Sequence, residues 1–129
     1  MEPKPVHTDA APQAQGPYSQ AVAYGGLVYC TGQIPLDPAT GELVTGSIDV
    51  LTTRVLQSLD AVLKEAGSDS SLVLRTNVYL ADMSDFAAMN AAYQSHFGTT
   101  KPARTTVQVA ALPLGARIEI DCIAAVRSS

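Results

Sequence analysis

The sequence predicts an α+β domain in which a single mixed sheet carries two helices on one face. Three observations lead there. A chain of 129 residues, 47% of them hydrophobic, has the length of one domain and enough apolar residues for a real core. Two segments repeat apolar residues at steps of three and four, the period of an amphipathic helix. Several short segments alternate or run apolar, as strands do, and they flank and separate the helices in the order β-β-α-β-α-β-β.

Residues 1–16 hold Glu2, Asp9 and three prolines but no arginine, which suits neither a secretory signal nor a transit peptide. They read as a flexible N-terminal arm, leaving 17–129 as a single domain. A short strand is expected around 19–24 and a second over 27–34, with Gly25-Gly26 as the hairpin turn between them. Residues 35–46, with Asp37-Pro38 and Thr40-Gly41, form a loop. Helix one spans 48–66 on the stripe Leu51, Val55, Leu59, Val62 and Ala66, with Ser47 as N-cap and Gly67 closing the C-terminus. Residues 72–80 are a third strand. Helix two spans 85–97, capped by Ser84 and ended by Gly98, with Phe86, Met89, Tyr93 and Phe97 as its stripe. Two strands, 102–109 and 117–125, close the chain around a turn at 113–116.

Composition narrows the function. The net charge is −4 and no Lys/Arg cluster occurs, which argues against a nucleic-acid binder relying on phosphate neutralisation. No apolar run approaches the ~18 residues of a membrane span. Cys30 and Cys122 lie in strand-like segments and read as buried free thiols in a reducing compartment, the cytoplasm. His7 and His96 show no ligand spacing with each other or with the cysteines, so no metal site is expected.

Alternation divides each strand between two faces. One face is expected to be apolar and to carry the helices, with Val28, Cys30, Gly32 and Ile34, then Leu72 to Leu80 at even positions, Thr105, Val107 and Val109, and Ile118, Ile120 and Cys122. The other face is expected to gather Thr31, Arg104, Thr106 and Glu119 on one side, among Leu27, Tyr29, Val73, Tyr79 and Ile123. So much apolar surface needs a cover that two helices on the opposite face cannot give, which points to a second subunit. A polar cluster there would lie near a subunit interface, where ligand pockets form. Each residue also has a plainer reading from its position. Arg104 suits a salt-bridged strand residue, Glu119 and Asp121 the wet side of a strand, Tyr18 a loop anchor, and Asn90 a buried amide bonded to backbone.

Five segments together resemble the RidA/YjgF family of reactive-intermediate deaminases. They are Gly16-Pro17-Tyr18-Ser19-Gln20-Ala21-Val22, Thr31-Gly32-Gln33-Ile34-Pro35, Asp85-Phe86 with Asn90 and Tyr93, Pro102-Ala103-Arg104-Thr105, and Ile118-Glu119-Ile120. The likeness runs in order from Gly16 to Ala125. It implies a chorismate-mutase-like fold and a homotrimer with sites in the clefts between subunits. It implies hydrolysis of 2-imino acids such as 2-iminopropanoate and 2-iminobutanoate, or their enamine tautomers, to 2-keto acids and ammonia, without cofactor or metal. By position, Arg104 looks like the family's carboxylate-binding arginine, and Tyr18, Thr31, Asn90 and Glu119 match other pocket positions. A backbone N–H near Gly32 or Thr106 would complete the anchor. Thr31 stands where the family often has Ser, Thr106 where it often has Cys, Leu51 where many members have Gln, and Ser58 where many have Asn.

The expected chemistry follows from the residue types. Arg104 is a fixed cation with a two-pronged donor for a carboxylate. Glu119 can accept a proton from water and return it to departing ammonia. Tyr18 and Thr31 would orient the imine or the water. Two other readings stand beside this one. The same pocket could bind a keto acid without turnover, in a sensor or chaperone-like trimer. Endoribonuclease or translation-inhibitor activity is also attributed to the family, but the acidic balance and the absence of a histidine pair weigh against it.

Overall fold

The computed structural model describes residues 2–128. Six strands form one sheet in the order β1-β2-β3-β6-β4-β5, and two helices cover one of its faces. The strands are β1 (Lys4–Val6), β2 (Ala21–Tyr24), β3 (Leu27–Gln33), β4 (Val73–Leu80), β5 (Ala103–Gln108) and β6 (Ile118–Ala125); the helices are α1 (Ile48–Glu65) and α2 (Phe86–Phe97). All pairings are antiparallel except β4 with β5. That parallel pair needs a crossover, and α2 supplies it.

Local chemistry explains most boundaries. Gly25 and Gly26 both have positive φ, 62° and 81°, the requirement of a tight two-residue hairpin turn. The α1 end is a Schellman closure. Gly67, at φ 82°, donates to the Lys64 carbonyl and Ser68 donates to that of Leu63. Leu51, Val55, Leu59 and Val62 of α1 and Met89, Tyr93 and Phe97 of α2 are buried against Val28, Cys30, Val78, Leu80, Ile118, Ile120 and Cys122 of the sheet. Leu51 and Ser58 both lie inside this packing, Ser58 bonding back to the Arg54 carbonyl. Cys30 and Cys122 are buried, free and directly opposite each other on β3 and β6.

The structure corrects four expectations. The N-terminal arm is packed rather than loose over its described part. β1 extends the sheet, Ala11 is fully buried, and the buried Gln20 amide clamps the arm, accepting from the Thr8 N–H (2.7 Å) and donating to the carbonyls of Thr8 (3.0 Å) and Pro12 (2.9 Å). Ser84 does not cap α2. Asp82 caps a short 3-10 turn, Met83–Asp85, that leads into the helix, and Asp85 occupies the N-cap. Ser47 sits at the α1 N-cap, but its hydroxyl bonds the Asp49 carboxylate and makes no cap. The fourth correction concerns the faces. A register shift between Val73 and Arg75 turns Val73 into the core and leaves Leu74 exposed. A second, between Cys30 and Gln33, buries Gln33 where alternation expects Gly32 and Ile34 to lie.

Candidate functional site

Two separate hollows contain the expected site residues. The first, about 420 Å³, lies on the face without helices and is lined by Tyr18, Thr31, Gly32 and Glu119 together with the arm and the turn before β6. The second, about 510 Å³, lies beside α2 and is lined by Asn90, Tyr93, Lys101, Pro102 and Arg104.

The first hollow owes its shape to the β3 bulge. Thr31 and Gly32 together stand opposite Asp121 alone, and the Thr31 N–H donates to the carbonyl of Gln20 (3.0 Å), the residue just before β2. Gly32 lets Glu119 approach. A Cβ at position 32 would lie 2.2 Å from Glu119 Oε2, so only glycine leaves room for this carboxyl. Burial, and secondarily the carboxylate of Asp121, push the Glu119 pKa above its ordinary value. Asp121 itself accepts from Asn77 Nδ2 (2.8 Å) and from the Tyr79 hydroxyl (2.9 Å), which commits it to structure. Tyr18 is half exposed at the mouth, and its hydroxyl accepts from the Gln15 N–H (3.1 Å).

The second hollow is built on aromatic stacking. The Arg104 guanidinium carbon lies 4.7 Å from the Tyr93 ring centroid and 5.6 Å from that of Phe86. Tyr93 is held in turn by a 2.7 Å hydrogen bond to the buried Thr76 hydroxyl. No carboxylate pairs with Arg104 among the described residues, so its donors remain free for a ligand. The Thr106 hydroxyl, on the same side of β5, is buried with no hydrogen-bond partner.

The two hollows face opposite ways, against the expectation that Thr31, Arg104, Thr106 and Glu119 share a side. Arg104 and Thr106 stand opposite Thr76 and Val78, whose side chains point to the helices, while Glu119 stands opposite Tyr79 on the other face. Thr105 and Val107, assigned by alternation to the helix face, therefore occupy the open face, where Arg75 donates to the Thr105 hydroxyl (2.7 Å). Thr105, Thr106 and Val107 suit either face, so only register with β4 decides. The structure thus brings Tyr18, Thr31, Gly32 and Glu119 together in one hollow and Arg104 and Asn90 together in the other, with Thr106 on the Arg104 side of β5, and keeps the groups apart within one chain. Sequence reasoning missed Pro12, Gln13 and Gln15 of the arm and Pro113 and Leu114 of the turn as walls of the first hollow. Gln20 holds the arm through four backbone groups, a role that nothing local in the sequence signals.

Among the described residues no helix is long and apolar enough to cross a membrane, and no three His, Cys, Asp or Glu side chains cluster as metal ligands do. The family model described as Endoribonuclease L-PSP matches residues 8–126. The 2-iminobutanoate/2-iminopropanoate deaminase of Mus musculus is 46% identical over 121 residues, covering 94% of this chain and 90% of that one. Protein DfrA of Myxococcus xanthus is 49% identical over 126 residues, covering 96% of each. The crystal structure of RidA from the Antarctic bacterium Psychrobacter sp. superposes with a TM-score of 0.92 at 41% identity, covering 95% of this chain and 99% of that one. By sequence and by fold, the chain belongs to the RidA/YjgF family, whose family model carries the description Endoribonuclease L-PSP.

Proposed function

We propose that the protein hydrolyses 2-imino acids, or their enamine tautomers, to 2-keto acids and ammonia, in sites formed where two copies of the chain meet. The observation that carries this reading is the split itself. An arginine with no carboxylate partner lines one hollow, and a carboxyl with a raised pKa lines the other. Each half alone lacks what the reaction needs. The open sheet face exposes Tyr29 and Val107, apolar surface suited to a neighbouring copy in a homotrimer. The names of the mammalian relatives support the reaction class.

In such a site Arg104 of one copy holds the substrate carboxylate through paired hydrogen bonds, with Asn90 and Thr106 beside it. The imine carbon then lies toward Glu119 of the next copy. Water adds to the carbon of the protonated imine as Glu119 takes a proton from that water, and the C=N π pair moves onto nitrogen to leave a neutral amine. Glu119 returns the proton to this amine and then takes the proton of the remaining hydroxyl as the C–N bond breaks, so that ammonia leaves and the C=O of the keto acid forms. Tyr18 and Thr31 orient the attacking water. A nuclease reading finds less support, since His7 and His96 pair with Asp9 and Asp60 and line neither hollow. Two buried free thiols favour the cytoplasm.

The test generates the enamine from serine or threonine with a dehydratase and follows keto-acid release against semicarbazide as a competing trap. The wild type should accelerate release. Arg104→Ala should lose at least about 100-fold with its oligomeric state retained, and Arg104→Lys should lose nearly as much, because an ammonium lacks the planar fork. Normal rates in a folded Arg104→Ala oligomer would sink the proposal.

A further inference from the structure

The turn between β5 and β6 is held at both ends and exposed in the middle. Leu112 and Ala116 pack with Ile34 and Leu36 in a small apolar cluster apart from the main core. The N–H of Gly115 donates to the Leu112 carbonyl (3.2 Å), and that of Ala116 to the Pro113 carbonyl (3.0 Å). Between these anchors Leu114 stands at φ 59° and ψ 17°. It is the one non-glycine residue with positive φ among those described, and its side chain is 70% exposed.

Both properties are unfavourable in a free subunit. A leucine in the left-handed region crowds its own backbone, and an exposed leucine gains nothing from burial. Glycine would sit there without strain. Strain held in place by flanking anchors marks positions where a side chain has work to do. Leu114 lines the same hollow as Glu119, Tyr18 and Thr31, and Pro12, Ile34, Leu36 and Pro113 give that hollow an apolar wall.

We propose that Leu114 is a specificity-determining residue, packing on the substrate side chain so that the site favours 2-imino acids with larger apolar side chains. The proposal rests on the deaminase reading above. With the carboxylate at Arg104 and the imine carbon at Glu119, the remaining substituent is left for the apolar wall. Leu114 closes over that substituent from the rim, and its exposure ends when the substrate is bound.

The test compares imines made from alanine and from leucine by an amino-acid oxidase, with semicarbazide as competing trap, and reads the ratio of the two kcat/KM values. The wild type should favour the leucine-derived imine. Leu114→Lys should lower the leucine-to-alanine ratio about tenfold or more, the scale on which apolar pockets discriminate. Leu114→Gly, which suits the left-handed backbone and should fold at least as well, should lower it similarly. An unchanged ratio in both folded variants would overturn the proposal. Acceleration of neither imine by the wild type would instead remove the deaminase reading, and this proposal with it.

Discussion

Gly32→Ala separates the placement of Glu119 from the stability of the fold. The new Cβ would stand 2.2 Å from Oε2, 2.8 Å from Cδ and 3.0 Å from Cγ of Glu119. Position 32 has no positive φ, so its backbone accepts alanine. All three atoms belong to one flexible side chain, so the carboxyl moves and the strand does not. To regain an ordinary 3.4 Å contact the oxygen must retreat by 3.4 − 2.2 = 1.2 Å. An off-rotamer side chain costs about 0.5–1.5 kcal/mol, and losing a glycine from the unfolded chain offsets about 0.4–1 kcal/mol of that. Net stability should change by no more than about 1 kcal/mol, roughly 4 °C in Tm. A catalytic group misplaced by about 1 Å can cost ~100-fold in rate. Keto-acid release under semicarbazide competition and thermal unfolding would be measured on the same preparation. Gly32→Ala added to Glu119→Gln should cost little further activity, because both changes act through one carboxyl. A variant with the wild-type rate would refute the role given to the position of Glu119. A loss of stability beyond about 3 kcal/mol would refute the claim that only its side chain yields.

Other expectations follow from the same contacts. Gln20→Ala orphans the buried partners of its amide, which should cost about 2–3 kcal/mol, expose residues 8–15 to limited proteolysis and raise KM, since the arm walls the first hollow. Glu119 has a folded pKa raised by burial, so folding favours its protonated form; its stabilising contribution is complete below about pH 4 and fades as pH rises through the raised value. Tm of Glu119→Gln should therefore exceed that of the wild type near neutral pH and match it in acid, and the wild-type kcat/KM should fall on the acid side at a pKa above that of a free glutamate. The Cys122 thiol is pushed up by the Cys30 thiol opposite it and by burial, so alkylation by iodoacetamide at neutral pH should label Cys122 only after unfolding, as read by mass spectrometry.

The helices and most strands could be read in the sequence because their apolar periods are strong and their ends carry glycine. Gly25-Gly26 and Gly67 behave as their backbone freedom suggests. What could not be read was set by long-range register. Nothing local in Thr105-Thr106-Val107 says which face is wet, and pairing with β4 turns Arg104 toward α2. The β3 bulge is likewise a property of the β3–β6 pairing, and it decides that Gly32 rather than a larger residue meets Glu119. The packing of the arm could not be read because a polar, proline-bearing composition says nothing of the side-chain clamp that Gln20 supplies from outside it. The candidate residues were chosen by chemical type and by family resemblance, and their division between two hollows required the fold.

The division can be tested by mixing two inactive variants. Arg104→Ala and Glu119→Gln would be unfolded together, refolded into mixed oligomers and assayed for keto-acid release from the dehydratase-generated enamine. Sites built from Arg104 of one copy and Glu119 of the next should be intact in about a quarter of random pairings, restoring about a quarter of the wild-type activity. Mixed oligomers as inactive as either parent would contradict the account, because they would mean that a single chain supplies both groups.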